Sequence, residues 1–469
     1  MKGNTRWYHR PYQPLHTQKV AKNPYICRLA PFADGVEVQI LDNGAPNSNH
    51  QLKLRPMGTS EPWTSFPLTG DRTTISGLNP WTDYEIIAER ADESAASAVR
   101  FFRTGEYPGR MVNYLHPKDT QYAFSGRALC TPCIVRLPSG TLMASMDVFA
   151  SRAPQNLELI FRSRDDGATW EYVTDLFPCT WGLLFVHRGR LYIMATSTEH
   201  GDLMISASPD EGETWTDPVR IFLGSGSALA AGWQRQAMPI IEHNGKLLTS
   251  LDYGGWVPLG GYGIHTLSID ADADLLTAEN WNVSEGTFFD PQWHGAPKGG
   301  KPGLLEGSLF VAPDGSIKNL LRMQIGACAP SHGLACILSV NMDDLDAAPQ
   351  FEQIIEMPTG SNSKSYVLFD SVSRKYWAIG NLITNPATPA MRTVVGLCVS
   401  DDGLSWRTAW VLFDYSALNP AEVGMQYPTF IIDGDNILWL SRTAFNQAGN
   451  FHDANCQTFH VIENFRDLD

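Results

Sequence analysis

Ten side chains suited to binding or proton transfer fall at equivalent places along this chain of 469 residues: Arg127 and Asp147, Trp181, Arg235 and Asp252, Glu306 and Arg322, Lys364, then Tyr427 and Arg442. Each stands just before an apolar strand or just after the strand that follows it. Cations gathered in one place suit a ligand bearing a carboxylate, because a guanidinium offers two parallel donors to its two oxygens. A phenol has a pKa near 10, so Tyr427 can attack carbon only with a base such as Glu306 in reach. His332 and His452 follow Arg322 and Arg442. An imidazole beside a neutralised uronate can move a proton, which is the chemistry of elimination.

These residues are brought together by a repeat consisting of an apolar strand, a turn usually carrying Gly, and a second apolar strand. Its copies begin at Cys133, Leu183, Pro239, Ser308, Tyr366 and Thr429, separated by 50, 56, 69, 58 and 63 residues. Each interval has room for four short strands, so the repeat predicts six blades of an all-β propeller. In such a ring the first strand of every blade lines the central channel and the second runs back. The residues before the one and after the other therefore share one mouth, where ligands bind.

A shorter motif is written over the same region. Ser163-Arg-Asp165-Asp-Gly167-Ala-Thr-Trp170 recurs as Ser208-Pro-Asp210-Glu-Gly212-Glu-Thr-Trp215, and again as Val399-Ser-Asp401-Asp-Gly403-Leu-Ser-Trp406, with Val399 in the serine place. Each copy reads as a hairpin turn in which Asp accepts from turn amides, Gly supplies a positive φ and Trp anchors into the sheet. This is the Asp-box pattern, and the chain resembles the sialidase superfamily of six-bladed β-propellers.

That resemblance implies an exo-acting glycoside hydrolase releasing a terminal acidic sugar from a glycan. Glu306 matches the family's activating glutamate and Arg322 its second carboxylate-binding arginine, while Gln426-Tyr427-Pro-Thr-Phe resembles the segment bearing the nucleophilic tyrosine. Departures accompany these matches. Where the family carries Arg-Ile-Pro, this chain has Cys130-Thr131-Pro132, with Arg127 three residues earlier as the substitute. Asp147 is the carboxylate nearest the place of the acid/base aspartate, and Lys364 and Arg392 compete for the third arginine's role. The alternatives are a lyase or hydrolase acting on uronate-containing glycans with His332 or His452 in proton transfer, and a glycan-binding propeller without chemistry.

The remaining sequence bounds the partners. Thirty-five basic and 50 acidic side chains leave a formal charge of −15 with no basic stripe, which argues against nucleic acid. Eight scattered cysteines are expected as buried free thiols. No apolar run is long enough to cross a membrane, and the N-terminus has no apolar leader core, so the chain as written is expected in the cytoplasm, or outside the cell if a leader has been removed. No feature demands a metal or organic cofactor. Residues 1–20 are expected as an arm, 21–106 as a β-sandwich and 107–469 as the propeller. Thr74-Ile-Ser-Gly-Leu78-Asn-Pro80-Trp-Thr82-Asp-Tyr84 is similar to part of a fibronectin type III module, in which Tyr84 would bond back to nearby backbone.

Overall fold

Each of the six repeats forms the two innermost strands of one antiparallel sheet in the computed structural model, which describes residues 22–46, 48–151, 153–226, 230–256 and 261–469. The arm expected over 1–20 lies outside the described residues. The first sheet runs outward through Ala128–Arg136, Leu142–Phe149, Glu158–Ser163 and Glu171–Leu176, and the second through Thr180–His187, Arg190–Thr196, Leu203–Ser208 and Val219–Phe222. In the third, Gly232–Gln234 and Ile241–His243 share one partner, Lys246–Gly255. The fourth begins with Gly303–Val311 and Ile317–Gln324, the fifth with Tyr366–Asp370 and Lys375–Asn381, the sixth with Gly424–Asp433 and Asn436–Ala444.

Inner strands touch inner strands. Gly303–Val311 meets Tyr366–Asp370, which meets Gly424–Asp433, which meets Ala128–Arg136, and that contact closes a ring. Sheets stacked side by side bury both faces, so strands such as Leu203–Ser208 are buried at every residue and lack alternation. Aromatic and aliphatic side chains fill the space between neighbours: Trp233, Leu251 and Trp281 of the third sheet pack on Met194, Leu203 and Phe222 of the second. The turn between the two inner strands needs a left-handed residue, supplied by Gly140 at φ 92° in the first repeat and by Arg374 at φ 59° in the fifth, which lacks glycine.

The sixth sheet is completed from far upstream. Arg110–Tyr114 pairs antiparallel with Cys456–Ile462 as its outermost strand, a connection that the repeat did not reveal. Before it lie two smaller sheets. One orders Tyr25–Phe32, Gly35–Leu41 and Arg72–Ser76; the other orders Thr64–Leu68, His50–Pro56, Asp83–Arg90 and Arg100–Arg103. The Tyr84 hydroxyl accepts from the Asn79 amide at 3.0 Å. These sheets are tied to the ring by buried polar contacts. Arg100 pairs with Asp119 at 2.6 Å, and the Gln39 amide exchanges hydrogen bonds with the Tyr172 backbone at 2.7 and 3.2 Å. All eight cysteines are free, and Cys328 alone is not fully buried.

The Asp-containing turns share one hydrogen-bond pattern with a correction in the third. Ser163 Oγ accepts from Gly167 N at 2.8 Å, and Asp165 Oδ1 accepts from Thr169 N at 2.8 Å; Ser208, Gly212, Asp210 and Thr214 repeat this. In the third turn the serine place is taken by Ser400, not Val399, and the acceptor is Asp402, not Asp401. The turn is one residue shorter, because Ser400 stands three residues before Gly403 instead of four. Asp401 faces Lys375 and Arg407 instead.

Candidate active site

Besides the bulge at Cys130 and Thr131, which oppose Asp147 alone, three inner strands carry a β-bulge built on a left-handed residue. Trp181 and Gly182 oppose one residue between Thr196 and Met194, Glu306 and Gly307 oppose one between Arg322 and Leu320, and Tyr427 and Pro428 oppose one between Arg442 and Leu440. Trp181, Glu306 and Tyr427 adopt φ of 55°, 55° and 53°, a left-handed conformation that costs roughly 1–3 kcal/mol for a residue with a side chain. The bulge re-aims a side chain that the pleat would otherwise send between sheets. Buried carboxylates capture amides freed by the missing ladder bonds. Asp252 Oδ2 accepts from Glu306 N at 2.8 Å, and Glu158 Oε2 accepts from Gly182 N at 3.2 Å. Burial pushes Asp252 up to about 8 and also raises Glu158, which Asp147 raises further.

Around Tyr427 three guanidiniums converge. Arg322 Nη1 donates to Glu306 Oε2 at 2.8 Å and to the Tyr427 hydroxyl at 3.1 Å, so the phenol and the carboxylate meet on one nitrogen. Arg392 and Arg442 lie over the Tyr427 ring, 5.4 and 5.2 Å from its centroid. Arg392 donates to Gln426 Oε1 and to Asn362 O, and Arg442 to His452 O and, at 3.1 Å, to Cys130 Sγ. Among the described residues neither forms an ion pair with a carboxylate, so Arg322–Glu306 is the one ion pair these three guanidiniums make. Burial and the two neighbouring arginines bring Arg392 down to about 10. Burial, then Glu306, raises Tyr427 despite the arginines. Arg442, then burial, lowers His452 to about 4, keeping the ring neutral near pH 7.

The candidate cations differ in where they lie. Arg392 joins the cluster, whereas Lys364 is fully buried beneath it, donating to Ala237 O at 2.8 Å and lowered to about 7 by burial. Arg442 reaches Cys130 and so brings a cation to the segment that lacks one. Arg127 is exposed and does not line the cavity. Arg235 is likewise buried, bonding Thr249, Ser250 O and Met238 O, and burial lowers it to about 10.

Asp147 is not brought to the mouth. It is fully buried, Oδ1 accepting from Thr131 N at 2.6 Å and Oδ2 from Thr180 Oγ1 at 2.8 Å, so it braces two sheets. His332 bonds its neighbour Ser331 and does not line the cavity.

A cavity of about 480 Å³ opens above the cluster, lined by Tyr427, Arg442, His452, Asp453, Cys130, Phe149, Ser151, Gln155, Trp181, Glu199, Gln236 and Trp256. Two further cavities lie on the outer flank, at the junction with the smaller sheets and beside Trp410, away from these convergent charges. Sequence reasoning missed Glu199, Gln155, Trp256 and Asp453. Glu199 stands three residues beyond the second strand of its repeat, Arg190–Thr196, and a slightly wider window there would have found it. Among the described residues no three His, Cys, Asp or Glu side chains are grouped to hold a metal ion.

No protein-family model matches this chain, and no curated protein matches its sequence. Solved structures do resemble it. An α-L-arabinanase of Penicillium chrysogenum complexed with arabinobiose is 13% identical with a TM-score of 0.51, over 76% of this chain and 97% of that one. An α-L-arabinofuranosidase of Fusarium graminearum in complex with an iminosugar inhibitor is 13% identical with a TM-score of 0.51, over 76% and 98%. A Hadza microbial sialidase is 14% identical with a TM-score of 0.49, over 97% and 98%. At such identity the likeness defines the fold, an all-β propeller.

Proposed function

We propose that this protein is a glycoside hydrolase whose mouth takes a terminal acidic sugar. The observation that carries this reading is the charge around Tyr427: Arg322, Arg392 and Arg442 surround one phenol, and of the three only Arg322 is ion-paired, to Glu306. Unpaired buried charge is costly, and a substrate carboxylate accepting from these guanidiniums would relieve it. The arabinanase and the arabinofuranosidase that share this fold are consistent with glycosidase chemistry on it.

In the proposed reaction Tyr427 Oη bonds to the anomeric carbon as the bond to the leaving group breaks. The phenolic proton passes to Glu306, whose Oε1 has no protein partner, and Arg322, bonded to both groups, stabilises the negative charge that develops on the phenol oxygen as Glu306 is neutralised. A neutral nucleophile suits an anionic substrate, which would repel a carboxylate. Water then attacks the same carbon, Tyr427 leaves, and Glu306 returns the proton.

A second reading, elimination on a uronate with His452 as base, draws on the neutral His452 ring in the cavity beside Arg442. Incubation in heavy-oxygen water with sialosides and uronate-terminated oligosaccharides, followed by mass spectrometry, separates the readings. Hydrolysis gives a labelled acidic monosaccharide. Elimination gives unlabelled products whose masses sum to the substrate's, and an unchanged pool contradicts both.

A further inference from the structure

With Asp147 locked between sheets, the proposed hydrolase lacks a proton donor for its leaving group. The loop that joins the second and third strands of the first sheet, 150–157, has no Asp or Glu, but it has Gln155. Gln155 is buried, and its Nε2 reaches out of its own sheet to donate to Glu199 Oε2 at 3.0 Å. Trp256 Nε1 donates to the other oxygen, Oε1, at 2.8 Å. Two neutral N–H donors from two different sheets thus fix the plane of one carboxyl group, and each oxygen keeps a second lone pair.

Three observations single out Glu199. It lines the cavity that Tyr427 and Arg442 line from another sheet. Among the described residues it forms no ion pair with Lys, Arg or His. The next residue, His200, takes the left-handed φ of 55° and is anchored by a 2.9 Å hydrogen bond to the Tyr262 hydroxyl, which fixes the backbone that presents the glutamate. The other cavity carboxyl, Asp453, is bonded to His452 at 2.8 Å, which holds it below the usual carboxylate range and leaves it no proton to give near pH 7.

We propose that Glu199 is the acid/base group of this site, with Gln155 and Trp256 as its positioning residues, an assignment that rests on the glycosidase reading above. Protonated Glu199 gives its proton to the glycosidic oxygen as the bond from that oxygen to the anomeric carbon breaks and the Tyr427 Oη bond forms. The resulting carboxylate then takes a proton from the water whose oxygen attacks the anomeric carbon, and the hydroxyl group stays on the released sugar. Both protons are accounted for, and Glu199 ends protonated as it began.

The test compares wild type, Glu199→Gln, Glu199→Ala and Tyr427→Phe on two kinds of substrate: sialyl- and uronyl-oligosaccharides, and the corresponding 4-methylumbelliferyl glycosides, whose leaving group needs little protonation. Glu199→Gln is expected to lower kcat/KM on the oligosaccharides by roughly 10²–10⁴-fold and on the aryl glycosides by about tenfold or less. An initial burst of umbelliferone and loss of the basic limb of the pH profile should accompany this. Azide should accelerate Glu199→Ala on the aryl glycosides and yield a glycosyl azide, a product that a merely structural glutamate would not give.

Equal losses on both kinds of substrate, with no azide product, overturn the assignment while the glycosidase reading stands, provided Tyr427→Phe remains inactive. A wild-type protein that turns over neither kind of substrate overturns that reading and this assignment together.

Discussion

The bulge that aims Glu306 into the site can be broken by one methyl group. A Cβ added at Gly307 would lie 2.2 Å from Asn319 Oδ1 and 2.4 Å from Ser250 Oγ. Asn319 and Ser250 are themselves buried and bonded to each other at 2.9 Å, so neither can swing into solvent. Overpacking of this kind costs about 1–3 kcal/mol, and separating the Asn319–Ser250 pair costs about 1 kcal/mol more. At about 2.1 cal/mol/K of unfolding entropy per residue, the ring is large enough that Gly307→Ala is expected to lower Tm by roughly 3–5 °C. The strand can relieve the clash only by flattening or shifting the bulge, which carries Glu306 with it. A misplacement of about 1 Å costs roughly 10² in kcat.

Gly303, on the same strand, supplies the control, since a Cβ there meets nothing within 4 Å. Gly303→Ala should stay within about 0.5 kcal/mol of wild type and keep its turnover. Differential scanning fluorimetry gives the stability arm without any substrate, and the fluorogenic acidic glycosides give the kinetic arm. A Gly307→Ala protein with wild-type Tm and turnover would refute the claim that this close approach holds the bulge and that the bulge places Glu306.

Other outcomes follow from the same contacts. Arg442→Met removes the principal cause of the depressed His452 pKa, so its ring should titrate above about 4, nearer the ordinary histidine range, when followed by NMR. Tyr427→Phe deletes one of three acceptors of Arg322, leaving Glu306 and Gln324, and should cost only about 1 kcal/mol of stability in chemical denaturation while abolishing turnover. Asp252 is raised by burial to about 8, so the folded protein holds a proton there that the unfolded chain releases near pH 4. That contribution is full below about pH 4 and is lost as pH rises towards 8. Asp252→Asn keeps an acceptor for Glu306 N and should flatten the fall in stability between pH 5 and 8, measured by urea titration.

Much of the ring was legible because its signal is local. An apolar strand, a left-handed turn and a second strand are written within a dozen residues, so all six repeats landed on the inner strands of their sheets. The same rule singled out Trp181, Glu306 and Tyr427, though nothing in it announced the bulge at each of them. What the sequence hid depends on residues far apart in the chain. Arg442 finds Cys130 across 312 positions, and the Asp147 carboxyl is spent on an amide and a hydroxyl that only the stacked sheets bring near. The third Asp-containing turn was misread by one residue because Val399, Ser400, Asp401 and Asp402 offer two registers. Hydrogen bonding chooses between them, and composition cannot.

The outermost strand of the sixth sheet is the first strand of the ring to be synthesised. Arg110–Tyr114 must wait for Cys456–Ile462, so on the ribosome the ring stays open until that strand, more than 300 positions later, has emerged. During that interval an unpaired strand edge stands at each end of the nascent stack, the kind of edge that recruits foreign strands. Once the two meet, no terminal sheet remains from which fraying can begin, and loss of Cys456–Ile462 by truncation would unfasten the first and last sheets together.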